Sequence, residues 1–232
     1  MAKVCFEKFG DLIEYWVTFN EPKWFTFNGY MVGNYPPGHH SAQEMIIAAY
    51  HVMYASALGV RAFKEGHYKG MIGIVHSFGP VDGIDDTLAT KIAMRFADNY
   101  ANNWILDTAA KGVIPFDLLC VLSQNYDLSC IKNYTVDFLG LNYYSRVWVK
   151  PYSGGETQLV VNDSGKDFKG ESKIVIKGWF EQIMNNPDAI YTEWDVEIYP
   201  QGLQKGLKQV WEKYHLPIFI TENGVGVRED IT

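Results

Sequence analysis

Two carboxyl groups follow strand-forming segments near opposite ends of this 232-residue chain. Residues 16–19 (Trp-Val-Thr-Phe) lead into Asn20 and Glu21, and residues 217–221 (Pro-Ile-Phe-Ile-Thr) lead into Glu222. A pair of carboxyl groups held on one face of a fold suits acid and nucleophile chemistry at a glycosidic bond. The pair lies about 5 Å apart when the anomeric configuration is retained, and farther apart when it is inverted, because a water must then fit between them. The two glutamates are distant along the chain, so only folding can create that spacing.

Both segments have the composition of strands that are buried on both faces of a parallel sheet. Pro22 removes a backbone donor after the first segment and predicts an extended conformation for Glu21. Pro217 stands at the start of the second segment, a position where strands tolerate proline. The two carboxyl groups are therefore predicted at the C-terminal tips of buried strands.

Two further segments have the same character. Residues 70–77 form an apolar run that reaches His76, and residues 136–145 form another that carries Asn142 and Tyr144 at its far end. Each of the four predicted strands thus ends in polar side chains.

Helical periodicity and capping residues predict the elements between the strands. The predicted helices are residues 2–10, residues 42–65 with Ser41 and Glu44 as a capping box, a helix opened by Asp85 or Asp86 and closed by Gly112, residues 118–125, and residues 200–214. Residues 24–38 are predicted to form a long aromatic loop, and residues 146–180 a glycine-rich excursion with a hairpin.

Strands that alternate with helices predict parallel βα units. Polar residues gathered at the C-terminal ends of parallel strands are typical of the functional face of a (β/α)8 barrel. A closed barrel needs eight strands, whereas four are visible, and both chain ends fall inside predicted elements. The predicted fold class is α/β, a partial (β/α)8 barrel in which residues 1–232 form a single incomplete domain, truncated at both ends.

Composition argues against several other function classes. The formal net charge is −7 and no block of Lys and Arg appears, which disfavours nucleic acid as a partner. The apolar runs predict no segment that crosses a bilayer, so no membrane partner is expected. Three scattered cysteines argue against a disulfide framework and a zinc site, and they favour a cytoplasmic location. His39 and His40 are adjacent and lack an evident third ligand, so no metal is expected.

Three motifs carry a resemblance to a known family. Residues 18–22 (Thr-Phe-Asn-Glu-Pro), 138–145 (Phe-Leu-Gly-Leu-Asn-Tyr-Tyr-Ser) and 220–224 (Ile-Thr-Glu-Asn-Gly) resemble motifs of glycoside hydrolase family 1, the β-glucosidases and 6-phospho-β-glycosidases. The chain is similar to strands four to seven of the family barrel. The family's sugar-binding residues on its other strands have no counterpart here.

The resemblance implies a role for each matching residue. Glu21 would be the general acid and base, Glu222 the nucleophile, and Asn20 the ligand of the sugar hydroxyl beside the anomeric carbon. Tyr144 would donate a hydrogen bond to the nucleophile, and Asn142 would line the same subsite. The implied activity is that of a retaining β-glycosidase acting on β-glucosides or 6-phospho-β-glucosides, with a small-molecule glycoside as partner and no cofactor. With half the sugar-binding wall missing, weak or no hydrolysis is expected of this chain alone.

Two alternatives stay open. A non-enzymatic half-barrel would expose two parallel sheet edges, which invite pairing, so a homo-oligomer is one possible state. An unrelated barrel hydrolase would separate Glu21 and Glu222 beyond the retaining distance.

Overall fold

The computed structural model describes residues 1–115, 128–162, 170–184 and 186–226. The chain packs as two compact units. Unit 1 comprises Met1–Ser77, Asn102–Asn142 and Val210–Thr221, and unit 2 comprises Phe78–Ala101, Tyr143–Gln209 and Glu222–Thr232. The predicted helix at residues 118–125 lies outside the described residues, and the assignment of residues 1–232 to a single domain stays a prediction.

The described elements follow one another as helices and strands along the chain. The helices are α1 (Ala2–Phe9), α2 (Pro22–Thr26), α3 (Ala42–Glu65), α4 (Leu88–Asp98), α5 (Trp104–Lys111), α6 (Ser129–Asn133) and α7 (Gln201–Tyr214), with π-helical segments at Phe27–Val32 and Asn99–Asn103. The strands are β1 (Tyr15–Asn20), β2 (Met71–Ser77), β3 (Val81–Gly83), β4 (Phe138–Tyr143), β5 (Val147–Pro151), β6 (Gln158–Val160), β7 (Lys173–Ile176), β8 (Phe180–Gln182) and β9 (Ile218–Asn223).

The four predicted strands form one sheet in the order β1-β2-β4-β9. The pairs β1–β2 and β2–β4 are parallel. Near the start of β9 the Pro217 carbonyl accepts from the Leu139 amide, and further along Thr221 bonds to Asn142. Strand β9 therefore runs in the same direction as β4. The predicted parallel βα arrangement is confirmed.

The prediction that all four strands are buried on both faces is confirmed for the inner strands β2 and β4 and is wrong for the outer strands. Every residue of β4 is buried, whereas Tyr15 and Val17 of β1 are 53% and 43% exposed. Side chains alternate between the two faces of a strand. Trp16 packs edge-on against Phe6 of α1, with ring centroids 4.9 Å apart, so one face of β1 is covered and the other is open.

Helix α3 begins as predicted, because the Ser41 hydroxyl accepts from the Glu44 amide at 3.2 Å. The Glu44 carboxylate pairs with His39 at 2.7 Å, so only the serine half of the predicted capping box forms. By length and composition α3 is also able to cross a membrane, contrary to the sequence-based judgement. Its buried side chains form a stripe that includes Met53 and Val60, as in a core helix.

The prediction of a loop over residues 24–38 is wrong for its first half, which is helical. Pro22 occupies the first turn of α2, where its fixed φ favours a helix. The Thr26 hydroxyl donates to the Pro22 carbonyl at 2.7 Å, and helical structure continues through Val32. Further along, Thr87 rather than Asp85 or Asp86 caps α4.

Unit 2 contains a second sheet, in the order β3-β5-β8-β7-β6. The predicted excursion and hairpin at residues 146–180 supply most of it. Glu181 on β8 is buried and accepts from the Ser153 amide at 2.8 Å and from Lys150 at 2.9 Å. Burial raises the pKa of Glu181, but the hydrogen bonds from Ser153 and Lys150 outweigh it and lower the pKa to about 2. The carboxylate therefore stays ionised at neutral pH.

Gly70 and Gly155 provide a matched test of local packing. Their φ angles are +93° and +96°, but a Cβ on Gly70 would lie 1.9 Å from the Glu14 carbonyl oxygen, whereas a Cβ on Gly155 would have nothing within 4 Å. We expect Gly155→Ala to cost about 1–2 kcal/mol through backbone strain alone. Gly70→Ala should cost roughly 3 kcal/mol, because the turn into β2 must also move. Denaturant unfolding measures both, and equal losses would contradict the steric explanation.

Candidate active site

Unit 1 brings four polar side chains together at the ends of three strands. Asn20 ends β1 and Glu21 follows it, Asn142 lies on β4, and Thr221 lies on β9. The Asn142 Nδ2 donates to Glu21 Oε1 at 2.8 Å and to Asn20 Oδ1 at 3.1 Å. The Thr221 hydroxyl donates to Asn142 Oδ1 at 2.6 Å. One buried amide thus joins β1 to β9.

Asn142 has no exposed surface. Both protons of its amide nitrogen and one lone pair of its oxygen are engaged by protein groups, as a buried amide requires. Asn142 therefore orients the two side chains at the end of β1. Direct contact between Asn142 and a substrate, which the family resemblance implies, stays a prediction.

Glu21 is not extended, contrary to the sequence-based prediction. Its φ of 50° and ψ of 54° are left-handed. The Glu21 amide still donates to the Val75 carbonyl of β2 at 2.9 Å, while its own carbonyl accepts from the Trp24 amide of α2 at 2.9 Å. A single residue must therefore turn the chain from strand to helix. Such a conformation costs a residue with a side chain about 1–3 kcal/mol, and residues strained in this way cluster at functional sites.

Lys23 is a charged neighbour of Glu21 that the sequence analysis missed. It is half-buried, and its Nζ lies 5.6 Å from the centre of the Phe27 ring. Burial lowers the pKa of Lys23 to about 8, and the charge of Glu21 acts in the opposite direction. The only signal in the sequence was a lysine two residues after the carboxyl group.

Unit 2 contains the second glutamate with its predicted partner. The Tyr144 hydroxyl donates to Glu222 Oε2 at 2.5 Å. The next residue, Asn223, donates its side-chain amide to the Tyr143 carbonyl at 2.8 Å. These two bonds tie the end of β9 to the end of β4 and orient the Glu222 carboxyl group.

A cavity of about 370 Å³ adjoins Tyr144. Its wall includes Trp194, Tyr199 and Val225, and Tyr144 and Trp194 are both partly exposed. A concave, mainly apolar surface beside a few polar groups is typical of a small-molecule site.

Arg146, also missed from the sequence, stabilises one wall of this cavity. It forms a bidentate pair with Glu197 at 2.7 and 2.8 Å and reaches Asp82 at 3.4 Å. Its guanidinium lies between the rings of Trp148 and Tyr199, 4.3 and 4.2 Å from their centres. No motif spacing links these residues, because only the folding of unit 2 brings them together. Within the part of the chain that the structure describes, no three His, Cys, Asp or Glu side chains are placed to hold a metal ion.

The model of Glycosyl hydrolase family 1 matches residues 1–232. A 6-phospho-β-galactosidase of Clostridium acetobutylicum is 35% identical over 99% of this chain and 51% of its own length. One from Staphylococcus aureus strain Newman is 33% identical over 99% of this chain and 52% of its own length. The chain thus spans about half the length of the curated relatives it matches.

Solved structures give the same result. A family 1 β-glucosidase from Thermotoga maritima aligns with 100% of this chain and 48% of its own, at 28% identity and a TM-score of 0.81. A β-glucosidase from Exiguobacterium marinum aligns with 100% of this chain and 50% of its own, at 28% identity and a TM-score of 0.78. The predicted partial (β/α)8 fold is confirmed. The chain belongs to glycosyl hydrolase family 1.

Proposed function

We propose that Glu21 and Glu222 are the catalytic pair of a retaining β-glycosidase. The observation that supports this most directly is the hydrogen bond from Tyr144 to Glu222. The phenol holds one oxygen of the Glu222 carboxyl group and leaves the other oxygen to attack, as the first step of the retaining mechanism needs.

The first step breaks the glycosidic bond. A Glu222 oxygen attacks the anomeric carbon while Glu21 gives its proton to the leaving oxygen, so the alcohol departs and a glycosyl ester forms on Glu222. Asn142 occupies Glu21 Oε1, so the proton resides on Oε2. Asn20 offers its amide nitrogen to the sugar hydroxyl beside the anomeric carbon, since its Oδ1 accepts from Asn142.

The second step releases the sugar. Glu21, now a carboxylate, takes a proton from water, whose oxygen attacks the anomeric carbon and displaces Glu222. Tyr144 stabilises the charge that returns to Glu222. The substrates are β-glucosides or 6-phospho-β-glycosides; the names of the curated relatives favour the phosphorylated class, and those of the solved structures favour plain β-glucosides. Because the chain spans half of these relatives, steady-state hydrolysis by the chain alone is expected to be weak or absent.

An activated 2-deoxy-2-fluoroglycoside with a dinitrophenolate leaving group tests the assignment. The fluorine slows both steps and the good leaving group restores the first, so the sugar should accumulate slowly on Glu222 without a fast burst. Peptide mapping by mass spectrometry should place the label on Glu222 and find none in Glu222→Gln.

Glu21→Gln is the matched control, because an activated leaving group needs no acid, and it should still be labelled. Label on another residue, or none at saturating reagent, would contradict the proposal. Turnover without any covalent intermediate would favour the inverting alternative.

The exposed outer strands favour a second candidate, a non-enzymatic half-barrel that self-associates. Val17 on β1 and Ile220 on β9 are 43% and 49% exposed, and outer strands also present unpaired backbone groups. Light scattering should then show dimers or larger species that Val17→Lys and Ile220→Lys convert towards monomer. Ile190→Lys, at a 71% exposed apolar site outside this sheet, should have no effect. A stable monomer at high concentration rules this candidate out.

A further inference from the structure

A fully buried asparagine amide can face Glu21 in two ways. With its nitrogen towards Glu21, Asn142 donates to Oε1, as the structure shows at 2.8 Å. Rotated by 180°, the amide would turn its oxygen towards the carboxyl group instead. The two orientations have nearly the same shape, so hydrogen-bond partners decide between them.

Thr221 is the partner on the other side of the amide. Its hydroxyl lies 2.6 Å from Asn142 Oδ1 and donates to it. Glu21 Oε1 and Asn20 Oδ1 are acceptors, so they require the Asn142 nitrogen on their side, and the Thr221 hydroxyl satisfies the amide oxygen on the other side. We propose that Thr221 is a positioning residue whose hydrogen bond holds the Asn142 amide against Glu21 Oε1, so that Oε2 carries the catalytic proton; the inference rests on the proposed function of Glu21.

The chemistry depends on this choice. A donor at Oε1 stabilises the Glu21 carboxylate that forms when the leaving oxygen takes its proton, and it leaves Oε2 as the oxygen that binds the proton. An amide oxygen at the same place would repel the carboxylate. It would also attract the proton to Oε1, which faces the protein rather than the leaving group. The rotated amide would therefore impair proton transfer without removing any catalytic residue.

The sheet gives Thr221 room to make this bond. The neighbouring position on β4 is Gly140, and a Cβ there would lie 3.1 and 3.3 Å from the Cγ2 and Oγ1 of Thr221 and 2.6 Å from the Cγ2 of Val75. Thr221 itself is exposed, so its replacement leaves no buried cavity. It also immediately precedes Glu222 in the chain. One residue of β9 thus orients the acid, and the next is the proposed nucleophile.

Thr221→Val tests the proposal directly, because it keeps the shape and removes the hydroxyl. The side-chain NH₂ signals of Asn142 in a ¹⁵N-correlated NMR spectrum report the amide without any need for catalysis. In the native chain both protons should exchange slowly with solvent. In Thr221→Val the exchange should accelerate on the order of tenfold, because Asn142 Oδ1 loses its partner and the buried amide is held less firmly.

Two further variants serve as controls. Thr221→Ser retains the hydroxyl and should restore the native signals. Thr18→Val removes a comparable hydroxyl from β1 of the same sheet, where it bonds to Ser56 of α3 at 2.7 Å. This variant should leave the Asn142 signals unchanged. Native-like Asn142 signals in Thr221→Val would overturn the proposal.

Leaving-group dependence tests the catalytic consequence. A general acid contributes about 10²–10⁴-fold where the leaving group is poor and little where it is good. Thr221→Val should therefore slow glycosylation by an alkyl glycoside roughly 10- to 100-fold, and by a dinitrophenyl glycoside less than about twofold. Equal losses on both would indicate a general structural defect and overturn the positioning role. Failure to label Glu222 in the native chain would instead contradict the proposed function, while the Asn142 signals would still test the Thr221 contact.

Discussion

A buried amide with every polar atom committed is the constraint on which the candidate site depends. A polar group removed from water must find partners inside the protein, or it destabilises the fold by several kcal/mol. Asn142 meets this requirement with Asn20 and Glu21 on one side and Thr221 on the other. The same bonds that satisfy the amide also hold the proposed acid in one orientation. The same hydrogen bonds therefore stabilise the sheet and fix the geometry of the candidate site.

Backbone strain is concentrated at the same place. Glu21 alone turns the chain from β1 into α2, and its left-handed conformation is one that side chains disfavour. Two backbone hydrogen bonds hold this conformation. The Glu21 amide donates to Val75 of β2, and the Glu21 carbonyl accepts from Trp24 of α2. Lys23, two residues after Glu21, adds a cationic side chain whose pKa is lowered to about 8 by burial. The surroundings of the proposed acid thus differ in kind from those of an ordinary surface carboxylate.

The proposed nucleophile depends on different physics. Glu222 is held by one short bond from Tyr144, and the adjoining cavity wall is held by the Arg146–Glu197 pair between two aromatic rings. A bidentate guanidinium–carboxylate pair fixes direction as well as distance. Residues 191–200 lie outside the strands and are joined by an isolated bridge between Tyr191 and Glu197, so a side-chain pair of this kind adds a fixed point to the segment.

Much of the fold and part of the site could be predicted from the amino-acid sequence. Apolar runs, capping residues and glycines located the four strands and most helices, because local sequence controls backbone preference. The motifs around Glu21, Asn142 and Glu222 identified the proposed chemistry, and the predicted contact between Tyr144 and Glu222 is present. By contrast, the helical course of residues 22–32 was missed, because an aromatic-rich segment after a proline does not reveal which neighbours it packs against.

What the amino-acid order determined by itself is the sequence of elements and the identity of the reactive groups. Tertiary structure alone decided that Asn142 is fully buried, that Thr221 is its partner, that Glu21 is left-handed and that Arg146 meets Glu197. Each of these depends on residues separated by dozens of positions or on the exposed edge of a sheet. Contacts between residues so far apart in sequence form only when the strands pair in the folded sheet, and no local periodicity in the sequence encodes them.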